Sequence, residues 1–284
     1  MRSGLMGWLR SFLVPSTRPS KVPILGVEGA GKSSLLYTIA TYVSLHRWGH
    51  VNDKDGALVA MQECVMRGSP IPPTLNHSAV EVVLRKVPDG CGGTIDTGLT
   101  ISCRDVPGGS FRRLADELER DPRVGRRSLL SGQGLLGEFG QLLRGAAGLV
   151  IVLDIVRDMN PQEFQRYPDV AFQQGCGEQI RPVLRALRFA QDLDSDAFRD
   201  KMVLFVWTKR DLHQLSQSTC DKLFDRTFSI ELRALEARGV MVRRYDVQAA
   251  CWDHQSNLTE LGIEQLLVDL AHGVGAAGAQ GGGK

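Results

Sequence analysis

Apolar strand-type segments alternating with amphipathic helical segments predict an α/β fold with a mainly parallel sheet covered by helices on both faces. Three observations carry this. Short apolar runs of buried-strand type recur at 22–27, 148–154 and 202–207. Helical periodicity follows each of them. A glycine-rich turn separates the first run from its helix, and ligands on such sheets bind at the carboxyl ends of strands.

The elements follow in chain order. In the first 14 residues Leu5, Trp8, Leu9, Phe12 and Leu13 fall at i, i+3, i+4, i+7 and i+8, one stripe of a helix that Pro15 and Pro19 end. Two readings stay open: a helix lying on a membrane surface through Leu5, Trp8, Leu9 and Phe12, and a helix packed on the chain's own core. Arg10 interrupts the run, which is poor for a signal peptide, and Arg2 stands where N-myristoylation needs glycine.

Residues 26–33 read Gly-Val-Glu-Gly-Ala-Gly-Lys-Ser, the pattern of a phosphate-binding loop. Its glycines let successive backbone N–H groups turn inward around α and β phosphates. The candidate contacts are Glu28, Gly29, Ala30, Gly31, Lys32, Ser33 and Ser34. Lys32 would reach the β and γ phosphates, and the Ser33 hydroxyl would ligate Mg²⁺. Leu35, Leu36, Ile39, Ala40 and Val43 share one face of the next helix, whose positive end then points at the phosphates.

The stretch 46–73, rich in Gly and Pro, is expected to be mostly loop, with His46 and His50 structural. Residues 79–87 and 98–106 read as strands of a hairpin around a turn at 88–97, adding one antiparallel edge strand. A short charged helix is expected at 111–120, then a basic, glycine-rich and mobile segment at 123–140. Residues 161–193 look helical, with Pro182 a start or break. A helix at 220–237 groups Phe224, Phe228, Leu232 and Leu235, a strand follows at 240–247, and Ile263, Leu266, Leu267 and Leu270 mark the last helix. Residues 273–284, rich in Gly and Ala, read as a disordered tail.

The formal net charge of +2 gives no global argument for nucleic acid. Six cysteines form no C-x-x-C pair, so reduced thiols of a cytoplasmic protein are expected, without zinc or disulfides. No run of 18 apolar residues exists, so no spanning helix is expected.

Further chemistry sits at strand ends. Asp105-Val-Pro-Gly108 follows the second hairpin strand, where a carboxylate can support Mg²⁺ and the Gly108 N–H can meet a γ-phosphate. Thr208-Lys-Arg-Asp211 follows the strand 202–207. The Asp211 carboxylate can accept from guanine N1–H and the N2 amino group together, while the Lys209 stem lies along the base. Thr74, after Pro73, can reach Mg²⁺ only when a γ-phosphate is present, which makes a switch.

Phosphate loop, Pro-Thr, Asp-x-x-Gly and Thr-Lys-x-Asp occur in this order, and at this point the sequence resembles the small GTPases. Within them it is similar to the ADP-ribosylation-factor-like (Arf/Arl/Sar) family, through Pro73-Thr74 with Asn76, Asp105-Val106, Gln248-Ala249-Ala250-Cys251 and the amphipathic N-terminus. The resemblance covers roughly 21–271. It implies a Ras-like P-loop G domain at 21–272, with a mainly parallel six-stranded sheet, between an amphipathic segment at 1–20 and the tail at 273–284. It implies GTP or GDP with Mg²⁺, the metal near Ser33, Thr74 and Asp105, and Cys251 and Trp252 beside the base. The implied partners are an exchange factor, an activating protein and effectors, with recruitment at an internal membrane in vesicle or protein trafficking. The family's catalytic glutamine position is Gly109 here, which implies slow intrinsic hydrolysis. Trp252 stands where a small residue is usual, and intervals at about 46–70, 121–147 and 161–195 are longer than the family pattern.

Two alternatives accompany this reading. Asp105-Val-Pro-Gly108 followed by Phe111-Arg-Arg-Leu also resembles the β subunit of the signal-recognition-particle receptor, which implies a constitutively GTP-bound scaffold. A P-loop ATPase or kinase is the other, opposed by Thr208–Asp211.

Overall fold

Alternate residues of the central strands belong to different cores. In β5 (Gly148–Asp154) Leu149, Ile151 and Leu153 join one apolar cluster, while Val150 and Val152 join a second. In β6 (Met202–Thr208) Val203, Phe205 and Trp207 go to the first, and Met202, Leu204 and Val206 to the second. Successive strand side chains point to opposite faces, so both strands require cover on both sides. All seven positions of each are buried.

The computed structural model describes residues 20–26, 29–67, 69, 80–89, 91–103, 116, 120, 134–154, 166–193, 201–208, 216–247 and 262–280. Besides β5 and β6, the strands are β1 (Ser20–Gly26), β2 (Gly49–Asp53), β3 (Val80–Pro88), β4 (Thr94–Cys103) and β7 (Met241–Asp246). They form one sheet of order β2-β3-β4-β1-β5-β6-β7. β1 pairs in parallel with β4 and β5, and β6 with β5 and β7. β3 is antiparallel to both its neighbours.

Helices α3 (Gly134–Gly145), α4 (Pro168–Leu193) and α5 (Gln217–Glu236) cover the first face. Its centre is aromatic: the Phe224 ring lies 4.8 Å from Phe205, 5.0 Å from Trp207 and 5.2 Å from Phe228. Helices α1 (Lys32–His46) and α6 (Ile263–Gln280) cover the other.

The mixed α/β sheet with helices on both faces is the fold class the sequence predicts. It has seven strands, not six, because β2 pairs beyond the hairpin. Without β2 the sheet is the expected one, with antiparallel β3 at its edge. The sequence at 46–73 reads as loop because its glycines and prolines punctuate it, yet it holds β2 and α2 (Ala57–Met66). Tertiary contacts override the local signal. The Trp48 N–H donates to the Val43 carbonyl, and the Trp48 carbonyl accepts from Arg85 and Lys86 at a bulge of β3. The Asp53 carboxylate then caps α2 through the N–H groups of Ala57 (2.8 Å) and Leu58 (3.0 Å).

Three further expectations change. Residues 134–140 belong to α3 rather than a mobile segment, because Phe139, Leu142, Leu143 and Ala146 bury an i, i+3, i+4, i+7 stripe. α4 runs through Pro182 without a break. α6 continues to Gln280, well into the stretch expected to be disordered: Gly273 and Val274 are buried, and Gly273 lies against Met202. Of the expected helix at 111–120, only 116 and 120 fall among the described residues, and both are helical.

β2 approaches β3 so closely at Gly49 that a Cβ there would stand 1.8 Å from the Val83 carbonyl oxygen, a backbone atom that cannot swing away. Gly49→Ala is therefore expected to cost roughly 1–3 kcal/mol, as overpacking does. A lowered urea midpoint with unchanged slope would show it.

Candidate functional site

β1 ends at Gly26 and α1 begins at Lys32, and the connection between them is tight. Gly26 has no room for a side chain, since a Cβ would meet the Val152 carbonyl at 2.6 Å. Gly31 has φ 91°, a conformation costly for any residue with a Cβ. It is also the N-cap of α1, with no side chain capping the helix and no acidic residue in its first turn. The positive end of the helix therefore meets the loop with no carboxylate from its own first turn against it, an arrangement suited to an anion.

Lys32 is only 7% exposed although it opens the helix, and its Nζ donates to the Gly26 carbonyl at 2.9 Å. The loop is thereby closed on itself. Ser33 and Ser34 are half-buried in the same turn.

The end of β6 reaches the same loop. Thr208 is 1% exposed, and its hydroxyl donates to the Ala30 carbonyl at 2.7 Å and stands 3.2 Å from the Leu153 carbonyl. One side chain thus ties the phosphate loop, β5 and β6 together. A Cβ at Gly31 would lie 3.4 Å from the same hydroxyl, so loop and strand are in contact there. Beside Thr208, the Trp207 indole N–H donates to Asp221 at 3.4 Å. Burial pushes the Asp221 carboxyl above the usual range, opposed by that bond and by Arg244.

The structure brings together Gly29, Ala30, Gly31, Lys32, Ser33, Ser34 and Thr208 of the expected set. Glu28, Thr74, Asp105, Gly108, Gly109, Lys209, Asp211, Cys251 and Trp252 lie outside the described residues, as do Leu5, Trp8, Leu9 and Phe12. Sequence reasoning did not single out Asp154, the last residue of β5, which is 1% exposed and pairs in register with Thr208. The available signal was a charge closing an otherwise apolar run.

The glycine constraints and the open helix end fit a phosphate group. Ser33 is the one expected Mg²⁺ ligand among the described residues, and no cluster of three or more His, Cys, Asp or Glu among them is arranged to hold a metal. The His46 ring stacks on Tyr42 at 4.1 Å, a structural role. No helix among the described residues is long and apolar enough to cross a membrane.

Strand order and glycine loop together define a mixed, mainly parallel α/β sheet with a tight glycine loop between its β1 strand and α1. No family model matches the chain, and no curated protein matches it. Among solved structures, it is similar to the ADP-ribosylation-factor-like GTP-binding protein, small COPII coat GTPase SAR1, from Encephalitozoon cuniculi in complex with GDP. That match has 12% identity, covers 93% of this chain and 83% of the other, and has a TM-score of 0.40. It is also similar to the bacterial selenocysteine-specific elongation factor EF-Sec, at 14% identity and a TM-score of 0.40, covering 92% of this chain and 29% of the other. The fold assignment rests on this chain's own strand order and loop geometry.

Thr208→Val keeps the side-chain shape but leaves the Ala30 carbonyl without its hydroxyl donor. The expected cost is about 1–3 kcal/mol of stability, the penalty of an unsatisfied buried acceptor. Urea unfolding measures it, and Thr208→Ser should restore most of the loss.

Proposed function

We propose that this chain binds GTP and GDP and acts as a molecular switch of the Arf-like type. The observation that carries the reading is the Thr208 hydroxyl on the Ala30 carbonyl. It brings the start of Thr208-Lys-Arg-Asp211 against the phosphate loop, across 178 residues of chain. A nucleotide with its phosphates in the loop then has its base near the segment that begins at Thr208.

On this reading Gly29 to Ser34 hold the phosphates, with Lys32 leaving the Gly26 carbonyl for the β and γ phosphates. Asp211 and Lys209 read guanine, with Cys251 and Trp252 beside the base. Ser33, Thr74 and Asp105 hold Mg²⁺, which would neutralise phosphate charge. Thr74 and Gly108 sense the γ-phosphate, and their rearrangement recruits effectors, with an exchange factor and an activating protein resetting the state. Leu5, Trp8, Leu9 and Phe12 would place the chain on an internal membrane from the cytoplasmic side, in vesicle or protein trafficking. Chromatography of the nucleotide released from denatured, purified protein tests the reading: guanine nucleotides support it, and adenine nucleotides favour a P-loop ATPase or kinase. Asp211→Asn replaces the paired carboxylate with an amide that mismatches guanine. GTP affinity should fall by at least ~1–3 kcal/mol, and titration calorimetry with equal affinities for both proteins would remove Asp211 from the site.

One residue favours a second reading, a constitutively GTP-bound scaffold. Gly109 offers no side chain to orient the attacking water. Slow turnover with intact binding is the expected behaviour, faster only when a partner supplies the missing groups. Gly109→Gln should raise the single-turnover rate. Hydrolysis by the unmodified protein alone at several per second, the rate of a complete catalytic set, would exclude both the scaffold and the role given to Gly109.

A further inference from the structure

Among the described side chains, Asp154 is the only buried carboxylate. It closes β5, whose six preceding residues are Gly, Leu, Val, Ile, Val and Leu, and all seven positions are buried. Burying a carboxylate is costly unless it is charge-compensated and hydrogen-bonded, and an apolar residue would satisfy this position by burial alone. The charge therefore answers a need of the surroundings.

Those surroundings are the phosphate loop. Asp154 pairs in register with Thr208, so their side chains are neighbours on one face of the sheet. That face is the α1 face, where Val150 and Val152 of β5 and Leu204 and Val206 of β6 are buried. Thr208 confirms the direction, because its hydroxyl reaches Ala30. The Leu153 carbonyl, in the peptide bond to Asp154, is the second acceptor near that hydroxyl. The other buried charge at this end, the Lys32 ammonium, sits on the Gly26 carbonyl, and Gly26 pairs with Val152, two residues before Asp154. A buried carboxylate thus ends β5, and a buried ammonium from α1 is hydrogen-bonded to the last residue of the adjacent strand β1.

We infer that Asp154 is a positioning residue of the nucleotide site: its carboxylate sets the end of β5 so that the Thr208 hydroxyl is aimed at the Ala30 carbonyl and the phosphate loop stays seated. The inference rests on the nucleotide reading for its consequence, slower nucleotide release. Asp154 is assigned a role through Thr208, not one of contact with the nucleotide. When the charge is lost, the end of β5 is held less firmly and the hydroxyl loses its fixed choice of acceptor.

Asp154→Asn, nearly identical in shape, is the test, read by release of a fluorescent GDP analogue and by hydrogen exchange. Release should quicken about tenfold, the equivalent of one hydrogen bond. Exchange should rise in residues 29–34 and stay unchanged in β7 and α6. In the Thr208→Val background the same change should add little, because the contact it aims is already gone. Unchanged release together with unchanged exchange overturns the inference. So does a variant that fails to fold or loses protection throughout, which would make Asp154 a general structural residue. If the unmodified protein binds no guanine nucleotide, the nucleotide reading fails, while exchange at 29–34 in Asp154→Asn still decides whether Asp154 seats the loop.

Discussion

The parallel register of β1, β5 and β6 is the constraint on which the site depends. Asp154 pairs with Thr208, so β5 and β6 end at one level of the sheet, and Gly26, paired with Val152, ends β1 two residues short of it. Parallel strands must be joined by crossovers, and every crossover returns the chain to the opposite end before the next strand begins. All the carboxyl ends therefore gather on one side, however far apart they stand in sequence. The apolar alternation of β5 and β6 fixes that register, because a slip of one residue would exchange the two cores. Phosphate loop and Thr208 meet as a consequence of core packing, and a single hydroxyl then holds them.

The elements that build this level were the most legible in the sequence. A strand buried on both faces is a continuous apolar run, and its two sides can be recognised without knowing what covers them. The loop was legible for another reason: glycine is required where φ is positive or a Cβ would strike backbone, so Gly31 and Gly26 leave a mark that no side chain can imitate. Thr208 was placed by the strand that precedes it. What the sequence could not show is the bond it makes, since Ala30 is apolar and offers only its carbonyl.

The misreadings have a shared cause. β2 is short and half-buried throughout, with no alternation, and is held by a neighbour's bulge and by the Trp48 backbone. α3 and the later turns of α6 carry many glycines, which lower intrinsic helix propensity. Each forms because its few large side chains reach a core already present, as Phe139 and Leu143 do in one cluster and Val274 in the other. Propensity is summed locally, whereas burial depends on elements far away in sequence. The long intervals show the same thing from another side. α3 and α4 lie within the long intervals at 121–147 and 161–195, and both bury residues in the first core.

Holding a nucleotide and consuming it make different demands on this architecture. The described parts of the proposed site are the loop, the first turn of α1 and the end of β6. All are anchored by main-chain geometry and by two cores that β1, β5 and β6 share. On the proposed reading, turnover asks more, because a water must be placed in line by a side chain from the segment after β4, and Gly109 has none. A chain of this kind can keep the stable half of the machinery while the chemical half passes to a partner. On the proposed reading, that asymmetry is what makes slow hydrolysis compatible with an intact phosphate loop.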